Sequence, residues 1–109
     1  ADARINRAKC DVEVVQSPVE EWVPQSAAVV VADPARDGLR AGGVDVLSAT
    51  NAQVIVLISC DPASLGRDAR LLIAKGYRLD YSEVLDLFPH THHVEVVSRF
   101  VRDESMELL

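Results

Sequence analysis

Continuous apolar runs alternate with amphipathic segments along most of this chain. The run Val-Ile-Val-Leu-Ile at 54–58 is rich in β-branched side chains and is ended by a turn, which is typical of a strand buried on both faces. Three runs predict strands, at residues 12–15, 27–32 and 54–58. The segments around them predict helices, at residues 2–9, 44–50 and 63–75, the last ended by Gly76. Ser17, Pro18 and Glu20 fit a capping box, so a further short helical turn is expected there.

The last third of the chain changes character. Residues 77–87 alternate loosely and 94–101 form a second run, so two strands joined by a turn at 88–92 are expected to pair antiparallel. Strands that alternate with helices and end in an antiparallel pair predict an α/β doubly wound sheet.

Composition sets limits on the class of protein. The 109 residues suit one domain or part of one, with 49% hydrophobic and 26% charged residues. No run is long enough to cross a membrane. Cys10 and Cys60 form no CxxC pair, which favours a cytoplasmic chain with free thiols. A net charge of −6 argues against strong nucleic-acid binding by this chain alone. Six basic residues could line a groove, although solvated helix charges explain them better: Arg36, Arg40, Arg67, Arg70, Lys75 and Arg78.

The predicted sheet looks incomplete. No glycine-rich loop joins a first strand to a first helix, so no nucleotide cradle is visible. One apolar sheet edge would be bare, and such an edge invites pairing with another chain. We therefore expect residues 1–109 to be part of a catalytic domain whose upstream half lies outside this sequence, and dimerisation through the bare edge is a possible consequence.

Reactive side chains follow the predicted strands. Asp33 follows the strand at 27–32 and Cys60 follows the strand at 54–58, so both belong to the edge where open α/β sheets bind ligands. The segment 88–95 adds three histidines and Glu95. Each has a plain structural alternative, since Asp33 could cap a turn, Cys60 could be a small buried hydrophobe, and Glu95 could face solvent.

Taken together, these motifs resemble a known family. Asp-Pro-x-Arg-x-Gly-Leu begins at Asp33, and Ile-Ser-Cys-Asp-Pro-Ala-Ser-Leu-x-Arg-Asp begins at Ile58. Gly-Tyr follows at Gly76, and Asp-x-Phe-Pro-x-Thr-x-His-Val-Glu begins at Asp86. The four motifs in this order resemble the RNA uracil-5-methyltransferases, which methylate C5 of a uridine in transfer or ribosomal RNA with S-adenosylmethionine.

The resemblance implies roles for three residues. Cys60 matches the family's nucleophile, which adds to C6 of uracil and makes C5 carbanion-like. Glu95 matches the general base that removes the C5 proton. Asp33 matches an aspartate beside the cofactor and the target base. The implied fold is the carboxyl-terminal part of a Rossmann-like methyltransferase sheet, and the implied partner is an unstacked uridine of tRNA or rRNA.

The sequence departs from the family pattern in two places. Ala35 stands where a second proline is usual, and Asp61 stands where asparagine is common. The family's cofactor loop and RNA-binding portion would lie upstream of residue 1. We therefore expect this chain to be inactive by itself.

Three other interpretations stay open at this point. A phosphatase loop needs Cys-x5-Arg, but Arg67 is one residue too far from Cys60 and Gly66 stands in its place. A metal site could use His90, His92 and His93 with Glu95, and Cys60 as a further ligand, although their spacing matches no zinc pattern. The third alternative is a non-enzymatic α/β fragment that serves as an assembly module.

Overall fold

A computed structural model describes residues 17–86 and 94–103. Within them the helices and strands are, in chain order, β1 (Val29–Ala32), α1 (Arg40–Ala49), β2 (Val54–Ser59), α2 (Pro62–Ala74), β3 (Tyr77–Leu85) and β4 (Glu95–Arg102). The strand predicted at 12–15 and the helix predicted at 2–9 lie outside the described residues.

The four strands form one mixed sheet in the order β1-β2-β4-β3. β1 and β2 are parallel, whereas β4 is antiparallel to both of its neighbours. The predicted α/β fold with parallel strands and an antiparallel carboxyl-terminal pair is confirmed. The sequence did not predict the strand order. The connection through α2 places β3 two positions from β2 in the sheet, and β4 occupies the position between them.

The core lies between the two helices and one face of the sheet. Ile55 and Leu57 of β2 are fully buried there. The core side chains are Leu39, Val44, Leu47, Ala52, Ile55, Leu57, Leu72, Tyr77 and Phe100. On the opposite face the β2 side chains are only half-buried, and Val29 and Val31 of β1 are 57% and 64% exposed. The expectation that 54–58 is buried on both faces therefore holds for one face of the described residues, because both crossovers run the same way and place their helices on the same side.

Tyr77 fastens the beginning of β3 to the core. Its side chain is almost fully buried, and its hydroxyl donates a 2.7 Å hydrogen bond to the carbonyl oxygen of Ala52, just before β2. Burial raises the pKa of the Tyr77 phenol, and the charge of Arg102 acts weakly in the opposite direction. The hydroxyl is thus held as a neutral donor inside the fold.

Two local predictions need correction. Helix α1 begins at Arg40, four residues before the predicted start, because Gly42 and Gly43 belong to its first turn and not to a loop. A Cβ on Gly43 would lie only 3.0 Å from Cβ of Leu39, so the missing side chain permits this close packing. The short helical turn predicted after Ser17 is confirmed as a 3-10 turn at Val19–Glu21, but the capping box is wrong, because the Ser17 hydroxyl donates to the carbonyl oxygen of Pro18 and Pro18 is the N-cap.

Candidate active site

Three sequence-predicted residues lie at the same edge of the sheet, on three adjacent strands. Asp33 follows the last residue of β1, Cys60 follows the last residue of β2, and Glu95 is the first residue of β4. Ala32 pairs with Leu57, and Ser59 pairs with Val96. Neighbouring strands are about 4.8 Å apart, so this register groups the three positions within a few strand spacings.

Cys60 is an exposed free thiol. It stands in the turn between β2 and α2, where Asp61 is the N-cap and Pro62 is the first helical residue. Proline suits that position because its missing N–H would have no partner in a helix. In the part of the chain that the structure describes, this exposure does not fit the alternative of a buried packing cysteine.

Asp61 and Ser64 fix the turn that carries Cys60. The Ser64 hydroxyl lies 2.8 Å from Oδ2 of Asp61 and 2.7 Å from the carbonyl oxygen of Arg36. The Ser64 hydrogen bond lowers the pKa of Asp61, burial opposes it, and the backbone N–H groups of Ala63 and Ser64 and the charge of Arg36 also lower it. The aspartate that replaces the family's usual asparagine is thus kept ionised, and as an acceptor it serves the start of α2.

Glu95 owes its position to the β2–β4 ladder. Its backbone is in the first residue pair of the β3–β4 ladder, opposite Leu85, and the next residue, Val96, pairs with the residue before Cys60. Its side chain is half-buried, which differs from the expectation of a fully solvent-facing residue. Thr91 and the three histidines that precede Val94 lie outside the described residues.

Asp33 is exposed at the rim of a cavity of about 410 Å³. The cavity is walled mainly by apolar side chains of β1 and its surroundings, among them Val30, Leu39 and Trp22. Among the described residues the Asp33 carboxylate has no hydrogen-bond or ion-pair partner, so the alternative role of capping a turn finds no support there. A carboxylate at an apolar cavity is available to a polar or cationic ligand.

Several motif residues turn out to hold the two strand-end loops together. Ser64, Arg67 and Asp68 of α2 all contact the segment that follows Asp33. At the level of sequence, Arg67 is a candidate for the basic groove, and Ser64 and Asp68 appear only as parts of the family motif. The burial of Asp68 and its contacts with residues 39 and 40 are visible only in the fold.

The basic residues are largely paired with aspartates. The pairs are Arg40–Asp37 at 3.2 Å, Lys75–Asp45 at 2.8 Å, Arg78–Asp80 at 3.5 Å and Arg67–Asp68 at 3.9 Å. The three exposed pairs among these contribute little to stability, whereas Asp68 of the fourth pair is buried. All four reduce the positive charge offered to a phosphate backbone. The prediction that these charges are ordinary solvated side chains fits the geometry better than a basic groove does.

Two other features are absent from the described part of the chain. No group of three or more histidine, cysteine, aspartate or glutamate side chains there could hold a metal ion. In residues 17–86 and 94–103, no helix has the length and apolar character needed to cross a membrane.

An open α/β sheet with a thiol and two carboxylates at one edge has clear relatives. The sequence model of the tRNA (uracil-5-)-methyltransferase family matches residues 24–101. The chain therefore belongs to the tRNA (uracil-5-)-methyltransferase family, as the motifs predict.

Individual relatives agree with this family. The 23S rRNA (uracil(1939)-C(5))-methyltransferase RlmD of Vibrio cholerae serotype O1 is 47% identical over 81 residues, which cover 74% of this chain and 18% of that protein. The corresponding enzyme of Aliivibrio fischeri is 35% identical and covers 93% of this chain and 26% of that protein. A crystal structure of the Pyrococcus abyssi tRNA (uracil-54, C5)-methyltransferase in complex with S-adenosyl-L-homocysteine matches with a TM-score of 0.75 and 37% identity, over 91% of this chain and 25% of that one. The chain thus spans about a fifth to a quarter of the length of these proteins.

Proposed function

We propose that this chain forms the nucleophile-bearing part of an S-adenosylmethionine-dependent RNA (uracil-C5)-methyltransferase. The observation that carries the proposal is the exposed Cys60 thiol at the carboxyl end of β2, with Glu95 on the adjacent strand β4. If Cys60 served only to pack the core, its thiol would be expected to be buried. If Glu95 were only a solvated strand residue, nothing would require it to lie on the strand next to Cys60. Membership of the family supplies the reaction class.

Cys60 is the proposed nucleophile. Its thiolate forms a bond to C6 of the uracil ring, and the electron pair of the C5–C6 double bond moves toward the C4 carbonyl as an enolate. C5 then carries the electron density that a methyl group requires. The open turn before α2 gives the sulfur access to a base that has left its stack.

Glu95 is the proposed general base. After C5 has gained the methyl group it still carries its proton, which the Glu95 carboxylate removes. The electron pair re-forms the C5–C6 double bond and the bond from C6 to sulfur breaks, so that the Cys60 thiolate is regenerated and Glu95 is left protonated. A carboxylate on the strand next to the nucleophile suits this order of steps, because Cys60 acts at C6 and Glu95 acts at the neighbouring C5 of the uracil ring.

Asp33 is the residue that we propose to hold ligand. The cavity beside it combines apolar walls with the Asp33 carboxylate, which has no partner within residues 17–86 and 94–103. Such a lining fits a nucleoside or a cationic group. S-adenosylmethionine, when bound, would supply the methyl group from its sulfonium sulfur and would leave as S-adenosylhomocysteine. Asp33 orients that cofactor or the uracil ring. Pro34 limits the backbone freedom of the turn that carries Asp33, and so limits where its carboxylate can lie.

RNA uridine is the proposed substrate, and the relatives named above act on different RNAs. One is named for 23S rRNA and another for tRNA. We propose that the substrate is a uridine presented outside a base stack, which is common to both RNAs. The test below uses tRNA and rRNA to distinguish the two classes. We also propose that residues 1–109 alone are inactive, because they carry no glycine-rich cofactor loop.

The test traps the reaction with 5-fluorouridine. The full-length natural protein that contains this chain is mixed with S-adenosylmethionine and tRNA or rRNA carrying 5-fluorouridine, and covalent complexes are measured by intact mass. Fluorine at C5 cannot leave as a cation, so the thioether to C6 should persist. Loss of the adduct in Cys60→Ser, with retention in the matched control Cys10→Ser, is the expected result.

A second variant tests the base. Glu95→Gln should accumulate the methylated thioether with ordinary uridine RNA, because the addition proceeds and the elimination does not. Absence of any adduct in the wild-type protein, despite bound cofactor and RNA, would refute the mechanism. The exposed Val29 and Val31 on the edge strand β1 would then favour an assembly module. Sedimentation would separate a dimer from a monomer.

A further inference from the structure

The loop after β1 is clamped to helix α2 by a set of contacts that the proposed chemistry does not use. Loop residues 36–40 follow Asp33, and α2 follows Cys60, so the clamp joins the two strand-end segments of the candidate active site. We call this set the loop clamp: Ser64, Arg67 and Asp68 on α2, with Gly38 on the loop.

Asp68 is the centre of the loop clamp. Its side chain is 1% exposed. Its two oxygens accept separate hydrogen bonds, from the backbone N–H of Leu39 at 2.6 Å and from that of Arg40 at 3.0 Å. These N–H groups open helix α1, where the helix dipole favours a negative charge. The buried carboxylate thus takes the place that an N-cap side chain usually fills, from a residue 28 positions away.

The backbone that Asp68 binds is strained. Leu39 has right-handed helical angles, with φ −75° and ψ −36°, whereas Arg40 has φ +60°. This pair of conformations forms an anion-binding nest, in which successive N–H groups converge on one acceptor. A positive φ is costly for a residue with a side chain and persists only where the surroundings enforce it. The Asp68 carboxylate is such an enforcing contact.

The other members of the loop clamp act in the same place. The Ser64 hydroxyl lies 2.7 Å from the carbonyl oxygen of Arg36, and the Arg67 guanidinium donates to the carbonyl oxygen of Asp37. Gly38 has φ +79°, and a Cβ there would lie 2.5 Å from Oδ2 of Asp68. Four residues of segment 36–40 are therefore held by hydrogen bonds to three residues of one helix.

We propose that Asp68 is a positioning residue for methyl transfer: it holds loop 36–40, and through it Asp33, in register with Cys60. The inference rests on the proposed function and adds a residue that touches neither substrate nor cofactor. Cys60 itself is held by β2 and the start of α2. Loss of Asp68 should thus disturb Asp33 and leave the nucleophile in place.

The experiment uses the full-length natural protein with substrate RNA and S-adenosylmethionine. Asp68→Asn keeps the side-chain volume but leaves one acceptor oxygen for two N–H donors. Asp45→Asn is the matched control, because Asp45 is an exposed aspartate that pairs with Lys75 at 2.8 Å and is not a member of the loop clamp. The measurements are kcat, KM for RNA, the rate of Cys60 alkylation by iodoacetamide, and hydrogen exchange of segment 36–40.

The expected result is a kcat lower by about tenfold or more in Asp68→Asn, because a misplaced positioning group lowers the rate on that scale. KM for RNA and the alkylation rate of Cys60 should stay within about threefold of wild type, since the nucleophile turn is intact. Exchange of segment 36–40 should accelerate. Asp45→Asn should match wild type in every measurement.

A rescue separates positioning from general destabilisation. Glycine adopts a positive φ without strain, so Asp68→Asn/Arg40→Gly should regain at least about threefold in kcat over Asp68→Asn. A wild-type kcat in Asp68→Asn, or a rescue that restores folding but not kcat, would overturn the inference, as would failure of both variants to fold. If the wild-type protein forms no 5-fluorouridine adduct, the proposed function fails instead. An adduct in wild type with an unchanged Asp68→Asn variant refutes only the positioning role.

Discussion

Gly38→Ala is the substitution that probes the packing of the strand-end loops most directly. Gly38 has φ +79°, and an added Cβ would lie 2.5 Å from Oδ2 of Asp68 and 3.1 Å from Cβ of Ser64. The methyl group therefore meets two obstacles at once: a backbone conformation that alanine disfavours, and a carboxylate that cannot retreat without losing its N–H donors.

The two obstacles have different magnitudes. A positive φ costs a residue with a side chain about 1–2 kcal/mol. Overpacking by a methyl group in a tightly filled site costs about 1–3 kcal/mol. We expect Gly38→Ala to lower the free energy of unfolding by about 2–4 kcal/mol, since relaxation at one obstacle partly relieves the other.

Two other glycines of the chain serve as controls. Gly76 has φ +96° with no atom within 4 Å of an added Cβ, so Gly76→Ala carries only the backbone cost of about 1–2 kcal/mol. Gly66 lies inside α2 with open space around it, so Gly66→Ala should stabilise by about 0.5–1 kcal/mol. Chemical unfolding followed by far-UV circular dichroism and by the fluorescence of Trp22, the single tryptophan, measures all three.

The order of the three variants in free energy of unfolding tests the packing of Gly38 against Asp68. Gly38→Ala should be the least stable, Gly76→Ala intermediate and Gly66→Ala the most stable. A Gly38→Ala variant no less stable than Gly76→Ala would show that the loop does not pack against Asp68. The hydrogen bonds of Leu39 and Arg40 to that carboxylate would then be refuted as well.

Two further predictions concern stability. Tyr77→Phe leaves the carbonyl of Ala52 without its 2.7 Å donor and should lower the free energy of unfolding by about 1–3 kcal/mol in chemical unfolding. Because the folded pKa of Tyr77 is raised, its contribution to the free energy of unfolding is present below pH 10.0 and is lost as the pH rises through the folded pKa. Wild type should therefore lose stability above pH 10.0 more steeply than Tyr77→Phe. Equal slopes in the two proteins would contradict the buried phenol. Because the folded pKa of Asp61 is lowered, its contribution to the free energy of unfolding is present above pH 3.8 and is lost as the pH falls further. Ser64→Ala removes the largest cause of the lowered pKa and should weaken the loss of stability in acid. An unchanged loss of stability in acid would argue against the hydrogen bond between Ser64 and Asp61.

The sequence predicted the strands better than it predicted their arrangement. The apolar runs at 27–32 and 54–58 correspond to β1 and β2, because β-branched side chains suit a pleated sheet and leave little alternative. The position of β4 between β2 and β3 depends on crossover geometry, which no local pattern encodes. The early start of α1 was missed for a related reason: Gly42 and Gly43 look like loop residues until the neighbouring Leu39 and the capping Asp68 are seen.

The candidate site shows the same division. Its reactive residues were predicted from strand ends and from motif resemblance, and their grouping at one edge follows from the ladder between β2 and β4. The loop clamp was not predicted, because its contacts join residues about 30 positions apart whose side chains are ordinary when considered singly. A buried charge and a positive φ become visible only in three dimensions.

The ladder between β2 and β4 also limits how this sequence can change by insertion and deletion. Cys60 and Glu95 are 35 positions apart, yet their spatial relation is set by backbone pairing such as Ser59 with Val96. A residue gained or lost in the connection at 87–93 leaves that pairing intact. A residue gained inside β4 would shift the register by one and turn Glu95 to the opposite face of the sheet. Insertions and deletions should therefore be absent from β4 in homologous sequences.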